Sequence, residues 1–185
     1  QLFSGWGVRT LSNREVAYNP VSYHNGSIWP HDNALIALGL SMNKNKEDAG
    51  RIFSGLFDAG TSFSDNRLPE LFCGFQKVPG APPVSYPVSC TPQAWASGCL
   101  FQMLEACLGI DVEGAQGQLN VNRPFLPNFM SHINIKSLPT GRGSADFGLK
   151  KTKNGFSITG FKSEGGVNFH MDSGITVGPE PSKQP

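Results

Sequence analysis

Thr91-Pro92-Gln93-Ala94-Trp95-Ala96-Ser97-Gly98-Cys99-Leu100-Phe101-Gln102-Met103-Leu104-Glu105-Ala106-Cys107-Leu108-Gly109 is the stretch on which the reading of the fold turns. A hydroxyl able to cap free amides is followed by proline at the first helical position, and glycine closes the run. The segment therefore predicts a helix from Thr91-Pro92 to Leu108, stopped by Gly109. Upstream, Trp29-Pro30 leads into a second helix from Asp32 to Met42, with Asp32 or Asn33 placed to cap it. Leu35, Ile36, Leu38 and Leu40 make it apolar nearly all round, which predicts an interior helix. A third runs from Lys46 to about Ala59: Ile52, Phe53, Leu56 and Phe57 recur at helical spacing, while Lys46, Glu47, Asp48 and Arg51 form a wet face.

Residues 1–116 thus read as mainly α, with loops in which the 22 glycines and 14 prolines of the chain collect. Beyond Gly117 the pattern alternates, through His132-Ile133-Asn134-Ile135-Lys136, Asp146-Phe147-Gly148-Leu149, Phe156-Ser157-Ile158-Thr159 and Gly166-Val167-Asn168-Phe169-His170. These predict short antiparallel strands, forming a β-rich appendage over 117–173. Residues 174–185 hold three prolines and little apolar content, which predicts a flexible tail.

Composition excludes several classes. A chain of 185 residues, 38% apolar and 16% charged, can bury an ordinary core. Its net charge of +1 comes from 15 basic and 14 acidic residues scattered without runs. No basic stripe is available for a phosphate backbone, so nucleic acid is not expected as a partner. The longest apolar stretches, Ala34–Leu40 and Ala94–Leu108, are interrupted and fall short of the ~20 residues a bilayer requires. The opening Gln1-Leu2-Phe3-Ser4-Gly5 has no initiating Met, basic start or apolar signal core, so export is not directed from here and a front part is expected to be missing. Cys73, Cys90, Cys99 and Cys107 lack CxxC spacing and sit in apolar surroundings, where cysteine behaves as a small buried hydrophobe. His24, His31, His132 and His170 show no paired ligand spacing, so no metal is expected.

Three segments can carry chemistry. Tyr18-Asn19-Pro20-Val21-Ser22-Tyr23-His24-Asn25-Gly26-Ser27-Ile28-Trp29-Pro30-His31-Asp32-Asn33 gathers rings, amides, two histidines and a carboxylate. A pyranose presents hydroxyls at its edge and C–H groups on its faces, so this mixture suits a sugar; it equally suits a capped helix start with packed aromatics. Arg67-Leu68-Pro69-Glu70-Leu71-Phe72 places one carboxylate among apolar neighbours, a setting that can aim a base. Glycoside hydrolysis needs two carboxyl groups, so Glu70 supplies half of the chemistry, and an ion pair with Arg67 is the competing reading. Gln93 and Trp95, at the start of the last helix, can line a pocket or simply pack it. Trp6 is a further candidate platform.

Ser4-Gly5-Trp6-Gly7-Val8-Arg9-Thr10, Tyr18-Asn19-Pro20, Tyr23 through Asn33, Arg67-Leu68-Pro69-Glu70 and Pro92-Gln93-Ala94-Trp95-Ala96 together resemble, in this order, the last third of bacterial amylo-alpha-1,6-glucosidase or glycogen-debranching-type glycoside hydrolases. The likeness covers roughly Gln1 to Gly109 and continues more weakly through Arg123-Pro124-Phe125-Leu126-Pro127. It implies a partial (α/α)6 six-hairpin barrel followed by a small β segment, a cytoplasmic enzyme without cofactors, and an α-glucan or oligosaccharide substrate. By the same resemblance Glu70 matches the catalytic base of an inverting reaction, and Tyr23, His24, Asn25, Trp29, His31 and Asp32 match sugar contacts. The matching general acid lies upstream of anything present here. Three helices cannot make a twelve-helix barrel, so self-association or a partner chain completing the barrel is expected. A non-catalytic carbohydrate-binding fragment and an inactive truncated one are the alternatives.

Overall fold

A computed structural model of the chain describes residues 1–153 and 155–172; the tail expected over 174–185 lies outside the described residues. The chain divides into two compact units, Gln1–Cys107 and a second beginning at Leu108. Among the described residues there are three α-helices and two three-stranded sheets. This mixed α/β structure overturns the mainly α expectation and, with it, the partial (α/α)6 barrel. The reason is local. Ile110–Glu113 and Gln118–Asn122 alternate apolar and polar residues and form strands beyond those expected, and backbone pairing carries the expected strands well past their apolar centres.

Helix α1 spans Pro30–Met42. Trp29 precedes it in extended backbone with no side-chain cap, and Pro30, which lacks an N–H, occupies the first turn. The expected start at Asp32 with a cap from Asp32 or Asn33 is therefore corrected: the Asn33 side chain bonds to Val8 and Trp29 instead. The expected interior position is corrected too. Pro30, Asn33, Ala34 and Ala37 are buried, whereas Leu35 is 59% exposed. Small residues take the packed face, which lets α1 sit close to its neighbours and leaves the large side chains outside.

Helix α2 spans Lys46–Gly60, as its periodicity predicts, with the Asn45 side chain accepting from the Asp48 N–H at its start. It buries Ala49, Ile52, Phe53, Leu56 and Ala59 and packs on α1. Full burial of a side chain such as Leu56 stabilises by about 1.5–3 kcal/mol. Gly55 is required here, since a Cβ would lie 2.3 Å from the Trp6 carbonyl oxygen.

Helix α3 spans Ala94–Leu108, two residues shorter than expected. Gln93, not Thr91, precedes it, its carbonyl accepting from the Ser97 N–H at 2.9 Å. Gly109, at φ 66°, ends it as its position predicts. Ala96, Cys99, Met103, Ala106 and Cys107 form the buried stripe. Lys46 Nζ donates to the Ala106 carbonyl at 2.8 Å, so the first residue of α2 caps the end of α3 with a cation. Burial pushes that ammonium below its ordinary 10.5. No helix among the described residues is long and apolar enough to cross a membrane.

In the second unit, β1 (Ile110–Glu113), β2 (Gln118–Asn122) and β6 (Asn168–Asp172) form one sheet in the order β1-β2-β6. β3 (His132–Pro139), β4 (Ser144–Thr152) and β5 (Gly155–Glu164) form the other in chain order. The hairpin of β1 and β2 spans the 116/117 boundary read from the sequence. β6 runs parallel to β2, pairing Leu119 with Phe169, which corrects the all-antiparallel expectation. Alternation fixes which face of a strand is buried, not the direction of its neighbour. The core holds Leu119, Val121, Phe147 and Leu149, with the Phe169 ring 5.7 Å from that of Phe147. A register shift in β3 leaves Ser137 at φ 52°, its N–H taken by Asp146 Oδ1 at 2.7 Å.

Candidate functional site

The first unit brings its candidate residues together on single bridging pairs of extended backbone. Arg9 bridges Ile28, Ile28 bridges Phe72, and Phe72 bridges Ser85, all antiparallel. Ile28 and Phe72 exchange both backbone hydrogen bonds, at 2.9 and 3.1 Å, and both are fully buried. The loop that ends in α1, the loop that carries Glu70 and the proline-rich loop before α3 therefore lie side by side. Their approach depends on glycine: a Cβ on Gly74 would stand 1.6 Å from the Gly26 carbonyl oxygen.

Glu70 is half-buried, and both of its carboxylate oxygens are held. Tyr23 donates its phenol to Oε1 at 2.9 Å, and the Cys90 backbone N–H donates to Oε2 at 3.3 Å. The Glu70 N–H in turn donates to the Cys90 carbonyl at 2.9 Å, so the residue is fixed through main chain and side chain alike. No ion pair forms between Arg67 and Glu70 among the described residues; Arg67 is exposed. The bond to the carboxylate, followed by burial and the charge of Glu70, holds the Tyr23 phenol above its ordinary 10.0.

Rings surround this pair. Tyr23 meets Trp29 edge-on at 4.8 Å, His24 at 4.7 Å and Tyr86 at 5.6 Å. His24 lies parallel to Trp29 at 5.8 Å. Trp29 passes the chain of contacts to His31, which stacks on Trp95 at 4.0 Å. Trp29 Nε1 donates to Ser27 Oγ at 3.0 Å, so the buried indole has its polar atom satisfied. Trp95 is 55% exposed and presents a free ring face. His31 Nδ1, Gln93 Oε1 and Ser97 Oγ are buried polar atoms with no partner among the described residues, which marks the start of α3 as locally under-satisfied.

Other sequence candidates lie elsewhere. Trp6 is buried and covered by the Lys77 ammonium, 4.6 Å above its ring. Asn25 is exposed, with its backbone carbonyl accepting from the Asn19 N–H. Asp32 is exposed beside His31, 3.4 Å from its Nε2. Sequence reasoning missed Tyr86 and Cys90, which touch Tyr23 and Glu70. It took Asn33 for a helix cap, whereas the Asn33 side chain clamps Val8.

The four cysteines are free. Cys73, Cys99 and Cys107 are buried, as their apolar surroundings predict, whereas Cys90 is exposed. Burial pushes the Cys99 thiol up to about 12 and the Cys107 thiol up to about 11. No group of three or more His, Cys, Asp or Glu side chains converges as a metal site among the described residues. What the site can do chemically is hold one oriented carboxylate against a set of aromatic faces, open on the side of His24 and Trp95. No protein-family model matches this chain, and no curated protein matches it.

Proposed function

We propose that the first unit carries the water-activating part of a glycoside hydrolase site for α-linked glucosides, of the amylo-alpha-1,6-glucosidase type that the sequence resembles. The observation that carries this reading is the Glu70 carboxylate, oriented by the Tyr23 phenol and the Cys90 amide within a group of aromatic rings. Each oxygen of a carboxylate accepts more than one hydrogen bond, so Glu70 keeps lone pairs for a water. Glu70 takes a proton from that water as its oxygen attacks the anomeric carbon from the face opposite the leaving group. A separate acid, ~6.5–9.5 Å away, protonates the leaving oxygen, and the configuration inverts. That acid is not among the residues the resemblance reaches in this chain.

His24 and Trp95, both exposed, offer faces for the C–H surfaces of the sugar, while His31 offers an edge contact for hydroxyls. A cytoplasmic setting belongs to the same reading, and four free thiols support a reducing compartment. So does a second copy or partner chain, since Leu35 and the 75%-exposed Phe101 leave α1 and α3 with apolar faces in water. Binding of carbohydrate without turnover is the second reading. It is favoured by one observation: both Glu70 oxygens already accept hydrogen bonds from the protein.

Reducing-sugar release from maltooligosaccharides and α-1,6-branched dextrins, measured on the chain and on Glu70→Gln, separates the two. Release that falls about 10²–10⁴-fold in the variant is the outcome the base assignment requires. Calorimetric binding of maltotriose with no release supports the binding role. Neither binding nor release sinks both.

A further inference from the structure

Beside the Glu70 site lies a hollow, a cavity of about 330 Å³ lined by Val21, Cys73, Val84, Tyr86, Pro87 and Val88, with Ser85. Ligand clefts run from ~300 to 1,000 Å³, so its size suits one ring and not a long chain. Its floor is rigid. The Cys73 N–H donates to the Val84 carbonyl at 2.9 Å, the Cys73 thiol donates to the Ser85 carbonyl at 3.5 Å, and Ser85 bridges the buried Phe72. Pro83 and Pro87 restrict the backbone on either side of its wall.

Its lining differs from that of the Glu70 site. None of these side chains is charged, and the Ser85 and Tyr86 hydroxyls are its only side-chain oxygens. Val21, Val84 and Val88 are exposed, Val88 at 80%, and gain by being covered. A sugar ring seated here would lose the hydration of several hydroxyls and find few partners, which is costly. An apolar ring would lose nothing of that kind. The two sites are joined through Tyr86, whose ring forms a wall of the hollow and meets the ring of Tyr23, the donor to Glu70.

We propose that this hollow is a subsite for an apolar aglycone, so that the best ligands of the site are α-glucosides carrying an aryl group in place of a further sugar. The inference rests on the sugar-site reading above. It adds the chemical class of the leaving side: a group that binds by apolar contact with Val84, Val88 and Tyr86.

Titration calorimetry on the full chain tests it with methyl α-glucoside, 4-nitrophenyl α-glucoside and free 4-nitrophenol. The expected result is about tenfold tighter binding of the aryl than of the methyl glucoside, consistent with burying most of one ring. Val88→Asp, a change at an exposed position, brings the aryl glucoside to within about twofold of the methyl one. Equal affinities in the unaltered chain overturn the subsite and leave the sugar reading standing. A preference that survives both Val88→Asp and Val84→Asp overturns the subsite as well, because the aryl group then binds elsewhere. Absence of binding by either glucoside overturns both readings, whatever 4-nitrophenol does.

Discussion

Asn33 answers both backbone polar groups of Val8: its Oδ1 accepts from the Val8 N–H at 2.6 Å and its Nδ2 donates to the Val8 carbonyl at 3.0 Å. A side-chain amide here does the work of a paired strand, and it ties the first extended segment to the first turn of α1. Asn33 is 1% exposed, so water cannot replace what it supplies. Asn33→Ala is expected to destabilise the chain by about 3 kcal/mol, from stranding a partly buried donor and acceptor and opening a small void. Urea unfolding reads this as a lower midpoint at unchanged slope; a loss under 1 kcal/mol contradicts the clamp.

The Tyr23–Glu70 bond leaves a spectroscopic trace. Because the phenol is held above its ordinary 10.0, the Tyr23 step is expected late as absorbance at the phenolate band is followed upward in pH. Glu70→Ala, which removes the acceptor and its charge, is expected to move this step down in pH. Tyr23→Phe should delete it. The sign for stability follows: the neutral phenol is the form that folding favours, so its contribution is complete below pH 10 and is lost as pH rises through the raised value. Identical titrations in the parent chain and Glu70→Ala would remove the bond from the account.

Thiol chemistry separates the cysteines by place. Cys90 is exposed, whereas burial holds Cys73, Cys99 and Cys107 in the thiol form. Under native conditions a disulfide reagent such as dithionitrobenzoate is expected to modify one thiol rapidly and the other three only on unfolding. Cys90→Ser abolishes the rapid step. Two or more fast equivalents would show that the packing around Cys73 or along α3 is looser than described.

Gly74→Ala tests the crossing at the base of the site. The added methyl meets the Gly26 carbonyl at a separation no packing tolerates, so one of the two loops must move. The expected cost is about 1–3 kcal/mol or more, together with weaker holding of Glu70, since residues 70 and 74 share one strand-like segment. Weakened thermal stability with an unchanged Tyr23 titration would separate the crossing from the site. Parent-like stability would show that the loops do not touch.

How much of this was legible in the chain depends on which partner each residue needed. α2 was readable end to end, because its apolar stripe and Asn45 are local signals. α3 was readable at Gly109 but not at its start, where the hydroxyl of Thr91 looks like a cap while Gln93 holds that position. α1 misled in its burial: its mean apolarity is high, yet Ala34 and Ala37, not Leu35 and Ile36, face the packing. Only knowledge of the neighbouring surface distinguishes those outcomes. Ile110-Asp111-Val112-Glu113 and Gln118-Leu119-Asn120-Val121-Asn122 carried their alternation in plain view, while the parallel partnership of β2 with β6 has no local signature. Tyr23 contacts both Glu70 and Trp29, whereas Trp6 sits under Lys77, and neither placement has a local signature in the sequence.

The capping of α3 by Lys46 also orders events in time. The ammonium and the Ala106 carbonyl it binds are 60 residues apart, and the carbonyl is made later. As the chain leaves a ribosome, α1 and α2 are complete while the cation that will close the third helix waits in solvent. Only when the residues around Ala106 and Cys107 emerge does that cation find its acceptors and become half-buried. The first unit is thus locked from its far end by a residue synthesised near its middle, and a nascent chain stalled before Ala106 holds every ring of the candidate site without the latch that fastens its third helix.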